Sequence, residues 1–230
     1  MKIALVLLVA LPAFAHADPT GVVKGTVIFE GEAPERTHLK RDTDPVCAKI
    51  DKLSEDVIVT KGKLKDVLVR VKSGGPKPAA SPPPAVIDQK ECMYTPRVIG
   101  LVPGQKIMVK NGDATFHNVH GTIAGKLAWN KPSSPGDAAL TLDGAKAGEV
   151  IDVVCDVHPW MHAYAVVSDT AAFAVTGEDG TFELNGLEPG NYTLEAYHPT
   201  LGTKQLDVII GKGKKGTITA RISYKRNEMP

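Results

Sequence analysis

Two groups of residues that could bind a metal ion stand 35 positions apart in the chain. The first is Phe116-His117-Asn118-Val119-His120, and the second is Cys155-Asp156-Val157-His158-Pro159-Trp160-Met161-His162. The second group lies between two segments with strand character, Val150–Val154 and Ala163–Val167. A loop that joins neighbouring strands can direct several side chains at one point, and His117, at the end of a strand, can approach that point from across a β-sandwich.

The residue types in these groups favour an ion that changes its oxidation state. One thiolate, two imidazoles and a weak thioether form the ligand set of a copper electron-transfer site. Thiolate and thioether are soft and suit Cu(I), whereas imidazole also accepts Cu(II). Zinc would bind cysteine and histidine, but it has no use for methionine. The sequence therefore predicts copper.

The order and spacing of these residues resemble the cupredoxins, the type 1 blue copper family, with the Cys-x-x-His-x-x-Met loop of the amicyanin-like members. The similarity covers roughly residues 85–168. It implies that one type 1 copper ion is bound by His117, Cys155, His158 and Met161. It also implies that the Asn118 side chain ties the two ligand loops together.

The same resemblance places a partner-docking surface at the ligand loop, formed by Pro159 and Trp160, although Trp160 could instead fill the core. His158 would be the ligand nearest the surface and the exit point for electrons. The other histidines are interpreted as non-ligands, because His120 fits a partly exposed strand and His162 would face away from Met161. We expect His38 and His198 in solvent.

The sequence surrounding these groups predicts an all-β protein. Helical periodicity is nearly absent, and short alternating segments recur between Gly, Pro, Asn and Asp residues. The only helix candidate is a weak one at Asp44–Ser54. Together with the cupredoxin resemblance, this implies a cupredoxin Greek-key β-sandwich plus a second small β-sandwich. Its predicted parts are a signal peptide (1–17), an N-terminal β segment (18–75), a Pro-rich connector (76–84), a cupredoxin domain (85–168) and a C-terminal β-sandwich (169–230).

The C-terminal β-sandwich resembles the carboxypeptidase-regulatory or prealbumin-like module. The resemblance rests on Asp179-Gly180 and Pro189-Gly190 turns flanked by the alternating apolar residues of Thr181–Leu184 and Tyr192–Leu194. An early strand of that module often reads Gly-x-Val-x-Gly-x-Val, which residues 21–27 fit. We therefore expect the N-terminal segment to complete the C-terminal sandwich, which would make the copper domain an insertion. The alternative is separate modules in series.

Three cysteines follow the signal segment. The first residues are a short positive start, an apolar run and Ala15-His16-Ala17, which predicts cleavage after Ala17 and a periplasmic or secreted protein. In an oxidising compartment, with Cys155 assigned to the metal, Cys47 and Cys92 remain and are expected to pair. Two free thiols are the competing interpretation.

Composition excludes several classes of partner. The formal net charge is +1, so no excess of basic residues is present to bind nucleic acid or anionic lipid. Beyond the first residues no apolar stretch is long enough to span a membrane. We expect a carrier of single electrons between redox partner proteins and no enzyme activity. The alternatives are a copper-binding or trafficking protein without an electron-transfer role, and a structural protein with a vestigial site.

Overall fold

The structure is a computed structural model that describes residues 21–212 and 216–228. Within these residues the strands before the Pro-rich connector are β1 (Gly21–Glu30), β2 (Val59–Thr60), β3 (Lys63–Leu64) and β4 (Leu68–Val71). The next are β5 (Ala85–Lys90), β6 (Met93–Thr95), β7 (Val98–Leu101), β8 (Ile107–Asn111), β9 (His117–Ile123), β10 (Lys126–Ser133), β11 (Leu140–Leu142), β12 (Val150–Val154) and β13 (His162–Val167). The last are β14 (Phe173–Val175), β15 (Thr181–Leu187), β16 (Gly190–His198), β17 (Gly202–Ile210) and β18 (Thr217–Lys225). The predicted all-β fold is confirmed.

The helix prediction for Asp44–Ser54 is wrong. The described residues hold only short 3-10 turns, Cys47–Lys49 and Arg226–Glu228. The former begins after Asp44, whose carboxylate accepts the backbone N–H groups of Val46 and Cys47 at 2.7 and 3.0 Å. Such side-chain caps stabilise turns as readily as helices, and no apolar helical face follows.

One sandwich is built from both ends of the described chain. Strand β1 pairs antiparallel with β15 and parallel with β18, and β4 lies between β14 and β16. The two sheets enclose a core of alternating residues such as Val23, Val27, Phe182, Leu184 and Leu194. Strands β5–β13 are therefore inserted between β4 and β14, which are adjacent antiparallel strands. We call the sandwich of β1–β4 and β14–β18 the host sandwich.

The topology predicts that the C-terminal strands cannot fold alone. A fragment of residues 169–230 lacks β1 and β4, so one sheet loses the strand that joins β15 to β18, and the other loses the strand that joins β14 to β16. We expect this fragment to show no cooperative thermal unfolding by circular dichroism, whereas the full chain does. A stable fragment with a cooperative transition would contradict the insertion.

The inserted strands form a second sandwich, which we call the inner sandwich. Its sheets have the strand orders β10-β9-β12-β13-β7 and β11-β8-β5-β6. Buried apolar residues from both sheets, among them Ile87, Val109, Ile151 and Val153, fill the space between them. The backbone of β9 at Gly121 lies close to the Trp129 ring of β10. A Cβ atom at position 121 would lie 2.5 Å from that ring. A glycine is therefore required on this strand, which also carries the first histidine group.

Contacts between the two sandwiches include a small apolar cluster and a hydrogen bond from Arg70 of the host sandwich to Val167 of the inner sandwich. Leu68 of the host sandwich packs with Val98 and Val166 of the inner sandwich. The largely buried guanidinium of Arg70 donates two hydrogen bonds to Glu195 and a third to the carbonyl oxygen of Val167. Burial acts to raise the pKa of Glu195, but its bonds to Arg70 outweigh this and hold the pKa below its ordinary value.

The predicted disulfide is confirmed: Cys47 and Cys92 are bonded, and their sequence separation is 45 residues. It joins the segment that precedes β2 to the turn between β5 and β6. The predicted signal peptide lies outside the described residues. Among the residues that are described, no helix has the length and hydrophobicity needed to cross a membrane.

Candidate metal centre

The sheet that contains β9 and β12 brings the two histidine groups together. These strands are antiparallel neighbours with Val154 opposite His120. Continuing that register past the end of β12 places the residues after Val154 beside the start of β9. His117 is the first residue of β9, Cys155 directly follows β12, and His158 lies in the loop that leads to β13. Strand pairing thus positions three side chains that are far apart in sequence.

Three of the four predicted ligands converge on one point. The Nδ1 atoms of His117 and His158 are 2.9 Å apart, and the Cys155 Sγ atom lies 4.0 and 3.8 Å from them, respectively. The three residues are 0, 3 and 2% exposed for His117, His158 and Cys155. A single ion can therefore contact one sulfur and two ring nitrogens in a pocket closed to solvent.

A carboxylate contacts the Nε2 atom of each of the two histidine rings, on the side away from Nδ1. His117 Nε2 is 2.9 Å from Asp113, and His158 Nε2 is 3.1 Å from Asp44. Burial acts to raise the pKa values of both aspartates. Their hydrogen bonds, including those from backbone N–H groups, outweigh it and keep both pKa values below the ordinary range. Both aspartates are therefore ionised near neutral pH, when a carboxylate can only accept hydrogen bonds.

This arrangement determines which ring nitrogens are free. Each Nε2–H group donates a hydrogen bond to a carboxylate. In a neutral ring the Nδ1 atom then carries a lone pair. The two lone pairs face each other across 2.9 Å beside a sulfur atom. A cation between them, either a proton or a metal ion, is needed to remove the repulsion. The donor set of one sulfur and two imidazoles fits copper.

The protein also favours the thiolate form of Cys155. Burial acts to raise the pKa of this thiol, but its interaction with the His117 ring and hydrogen bonds from the backbone N–H groups of Asn118, Val157 and His158 lower it below its ordinary value. The pKa of His117 is raised: burial lowers it, but the bonds to Asp113 and Cys155 outweigh that effect. Burial lowers the pKa of His158. A thiolate is the form that binds a metal.

Asn118 connects the two ligand segments. Its Oδ1 atom accepts the backbone N–H of Asp156 at 2.7 Å, and its Nδ2 atom donates to the Asp156 carboxylate at 2.7 Å. A second amide, Asn130, donates to the same carboxylate at 3.0 Å. His120 also bonds to Asp156, at 2.8 Å, and partly faces solvent. This network fixes the residue after Cys155 relative to the residue after His117.

The fourth predicted ligand, Met161, is completely buried in the same core as Cys155. Its backbone N–H donates to the carbonyl oxygen of His158 at 2.9 Å, which closes a tight turn in the loop. Met161 is thus part of the core that contains Cys155. Its role as a ligand stays a prediction.

The predicted docking pair is placed in two different environments. Pro159 is exposed, whereas Trp160 is half-buried and donates its indole N–H to the carbonyl oxygen of Cys92 at 3.0 Å. The Trp160 ring centroid lies 5.1 Å from that of His158. His158 is 3% exposed, the largest fraction among the four predicted ligands, but it is still buried. A segment from before β2, which carries Asp44, covers the ring. The expected role of His158 as the exit point for electrons stays a prediction.

The remaining histidines of the described residues lie outside the cluster. His162 is 3.1 Å from the carbonyl oxygen of Pro159, and the exposed His38 bonds to Asp51 at 2.8 Å. His198 contradicts the expectation of a solvated residue, because it is completely buried and accepts the backbone N–H groups of Thr200 and Leu201. Burial lowers its pKa to about 3.

The two carboxylates were missed by sequence reasoning. Asp113 stands four residues before His117, in the turn Asn111-Gly112-Asp113, and that proximity was an available signal. Asp44 stands 114 residues from His158, and nothing in the sequence points from one to the other. Only the fold of the chain brings Asp44 and His158 together.

Together, the fold and the donor set define a β-sandwich protein with a candidate Cys-His-His metal centre. No protein-family profile and no curated protein matches the chain. Among solved structures, it is similar to a purple cupredoxin from Nitrosopumilus maritimus, with 24% identity over 36% of this chain and 99% of that chain and a TM-score of 0.33. It is also similar to amicyanin from Paracoccus versutus, with 20% identity over 44% and 97% of the two chains and a TM-score of 0.33.

A further similar structure is the copper-containing nitrite reductase from Thermus scotoductus, with 17% identity over 43% of this chain and 25% of that chain and a TM-score of 0.34. Each of these similarities covers less than half of this chain, so the functional argument rests on the geometry of the site. The resemblance of residues 169–230 to the carboxypeptidase-regulatory module stays a prediction.

Proposed function

We propose that this protein is a type 1 copper protein that carries single electrons between redox partner proteins. The observation that supports this is the convergence of the His117 and His158 Nδ1 atoms and the Cys155 Sγ atom in a closed pocket. His117, Cys155 and His158 would hold the ion, with Met161 as the weak fourth ligand. Copper bound there supplies a one-electron Cu(II)/Cu(I) couple.

The protein itself positions the donor atoms and excludes water from them. Asp113 and Asp44 orient the two rings through Nε2, and Asn118 holds the loop that carries Cys155 against the start of β9. The buried core beneath the site excludes water. Because the ligands are already positioned, a change of charge at the metal requires little movement of the protein.

Burial of the donor atoms also bears on the alternative, a copper trafficking protein. Such a protein must release its ion readily, and ligands that are at most 3% exposed favour slow exchange. The carrier is therefore the proposal that the geometry supports better. We also propose that this electron carrier has no catalytic activity of its own.

An oxidising compartment fits the same proposal. The Cys47–Cys92 disulfide persists in the periplasm or outside the cell, where the N-terminal segment would direct the chain. The redox partners would then be exported proteins as well.

Adding Cu(II) to the purified protein tests the function directly. We expect an intense visible absorption from the thiolate–copper bond and a narrow copper hyperfine splitting in the EPR spectrum. The colour should persist in the presence of a chelator for a carrier and disappear quickly for a trafficking protein. A colourless protein, or a spectrum of copper bound without sulfur, would refute the proposal.

A further inference from the structure

A short segment that precedes β2 covers the candidate metal centre. We call residues 41–50 the cover. Its Asp44 carboxylate lies 3.1 Å from His158 Nε2, and its Cys47 Sγ atom lies 3.8 Å from the same nitrogen. The ring is 3% exposed beneath these contacts, although the neighbouring Val157 and Pro159 are exposed. The cover thus packs directly on the buried His158 ring.

Hydrogen bonds that do not involve His158 hold the Asp44 carboxylate in place. Its Oδ1 atom accepts the backbone N–H groups of Val46 and Cys47, and its Oδ2 atom accepts the Thr115 hydroxyl at 2.7 Å. Three donors from two different segments therefore hold the group that orients the ring. A carboxylate placed in this way acts on the ring without first having to be ordered itself.

The cover is anchored to the inner sandwich on several sides. The Cys47–Cys92 disulfide bonds it to the turn between β5 and β6. Arg41 donates to the carbonyl oxygen of Glu91 in that turn, and its guanidinium lies 5.8 Å from the Trp160 ring centroid. These contacts join the cover to the ligand loop itself.

We propose that the cover is a fixed lid on the copper centre, and that Asp44 is a positioning residue that holds His158 Nδ1 toward the ion. This rests on the proposed function. In this role the lid retains copper, and the negative charge of Asp44 favours Cu(II) over Cu(I). Electrons then enter and leave through a surface other than the His158 ring edge.

The Asp44→Asn variant of the copper-loaded full chain tests this role. The amide has the same shape, but its Nδ2 donor would face the donating His158 Nε2–H and the Thr115 hydroxyl. We expect copper loss to EDTA, followed by the decay of the visible band, to become about 10- to 100-fold faster. We also expect a higher reduction potential, since a tenfold change in the Cu(II)/Cu(I) preference corresponds to about 59 mV.

The matched control is Asp51→Asn, which removes a carboxylate just beyond the cover that is exposed and bonded to His38. It should leave the rate, the potential and the EPR spectrum unchanged. If the wild-type protein turns blue and Asp44→Asn behaves like the control, the lid proposal is overturned. If the wild-type protein stays colourless, the proposed function itself fails.

A second variant carries the test if Asp44→Asn does not fold. Thr115→Val removes one of the three donors that hold Asp44 and leaves the carboxylate in place. A severalfold faster copper loss than in the Asp51→Asn control supports the proposal. A rate and a potential equal to those of the control overturn it.

Discussion

Replacing Cys155 by serine is expected to abolish the visible absorption of the copper-loaded protein. Serine has nearly the same shape, but its hydroxyl stays protonated and its oxygen is hard, so neither the thiolate bond nor its charge-transfer band can form. The structure adds a second reason. The interactions that lower the Cys155 pKa come from the His117 ring and from three backbone N–H groups, so the site is built to hold a thiolate.

The measurement is a titration with Cu(II), followed by absorption and EPR spectroscopy. His120→Asn is the matched control, because His120 lies on the same strand as His117 but bonds to Asp156 and partly faces solvent. It should retain the band. A Cys155→Ser protein that remains blue would show that the colour arises at another sulfur, and the proposed centre would be wrong.

Removing the disulfide is expected to cause a large decrease in the free energy of unfolding. In the Cys47→Ala/Cys92→Ala protein the unfolded chain regains the freedom of a 45-residue loop, worth about 4 kcal/mol on the chain-entropy estimate. For a chain of this size that corresponds to a fall of roughly 8–16 °C in Tm. The alanine side chains also remove the covalent anchor of the cover.

Thermal unfolding should be measured on the metal-free protein, so that bound copper does not add to the stability of the folded state. Wild-type protein treated with a thiol reductant and then alkylated provides the comparison, and its Tm should approach that of the variant. An unchanged Tm would contradict the prediction. It would mean that the disulfide does not restrict the unfolded chain as the chain-entropy estimate assumes.

Local patterns were sufficient to predict much of the fold. The alternation in Thr181–Leu187 puts Phe182 and Leu184 into the core, as expected. The predicted strands Val150–Val154 and Ala163–Val167 match β12 and β13 to within a residue. Strands β3, β5, β6, β7, β10, β11 and β14 were not predicted. In β10 only Trp129 and Ser133 are buried, so its apolar residues give no period-two signal.

The candidate site was predictable only in part. The residue types and their spacing in Cys155-x-x-His158-x-x-Met161 indicate ligands, because a loop between paired strands is a local feature. The lid over His158 depends on contacts across 114 residues, and Asp44 looks like an ordinary capping residue of a short turn. Similarly, only the tertiary fold reveals that His198 is buried.

The pairing of β1 with β15 and β18 has a consequence for biosynthesis. As the chain is synthesised, β1 must wait for strands that lie more than 150 residues later, whereas β5–β13 form one continuous stretch. Domains fold as units as they become available. The inner sandwich is therefore expected to be assembled first. Strands β1 and β4 lack their partners β15, β18, β14 and β16 until translation is almost finished, which makes them the strands most exposed to aggregation in a nascent polypeptide.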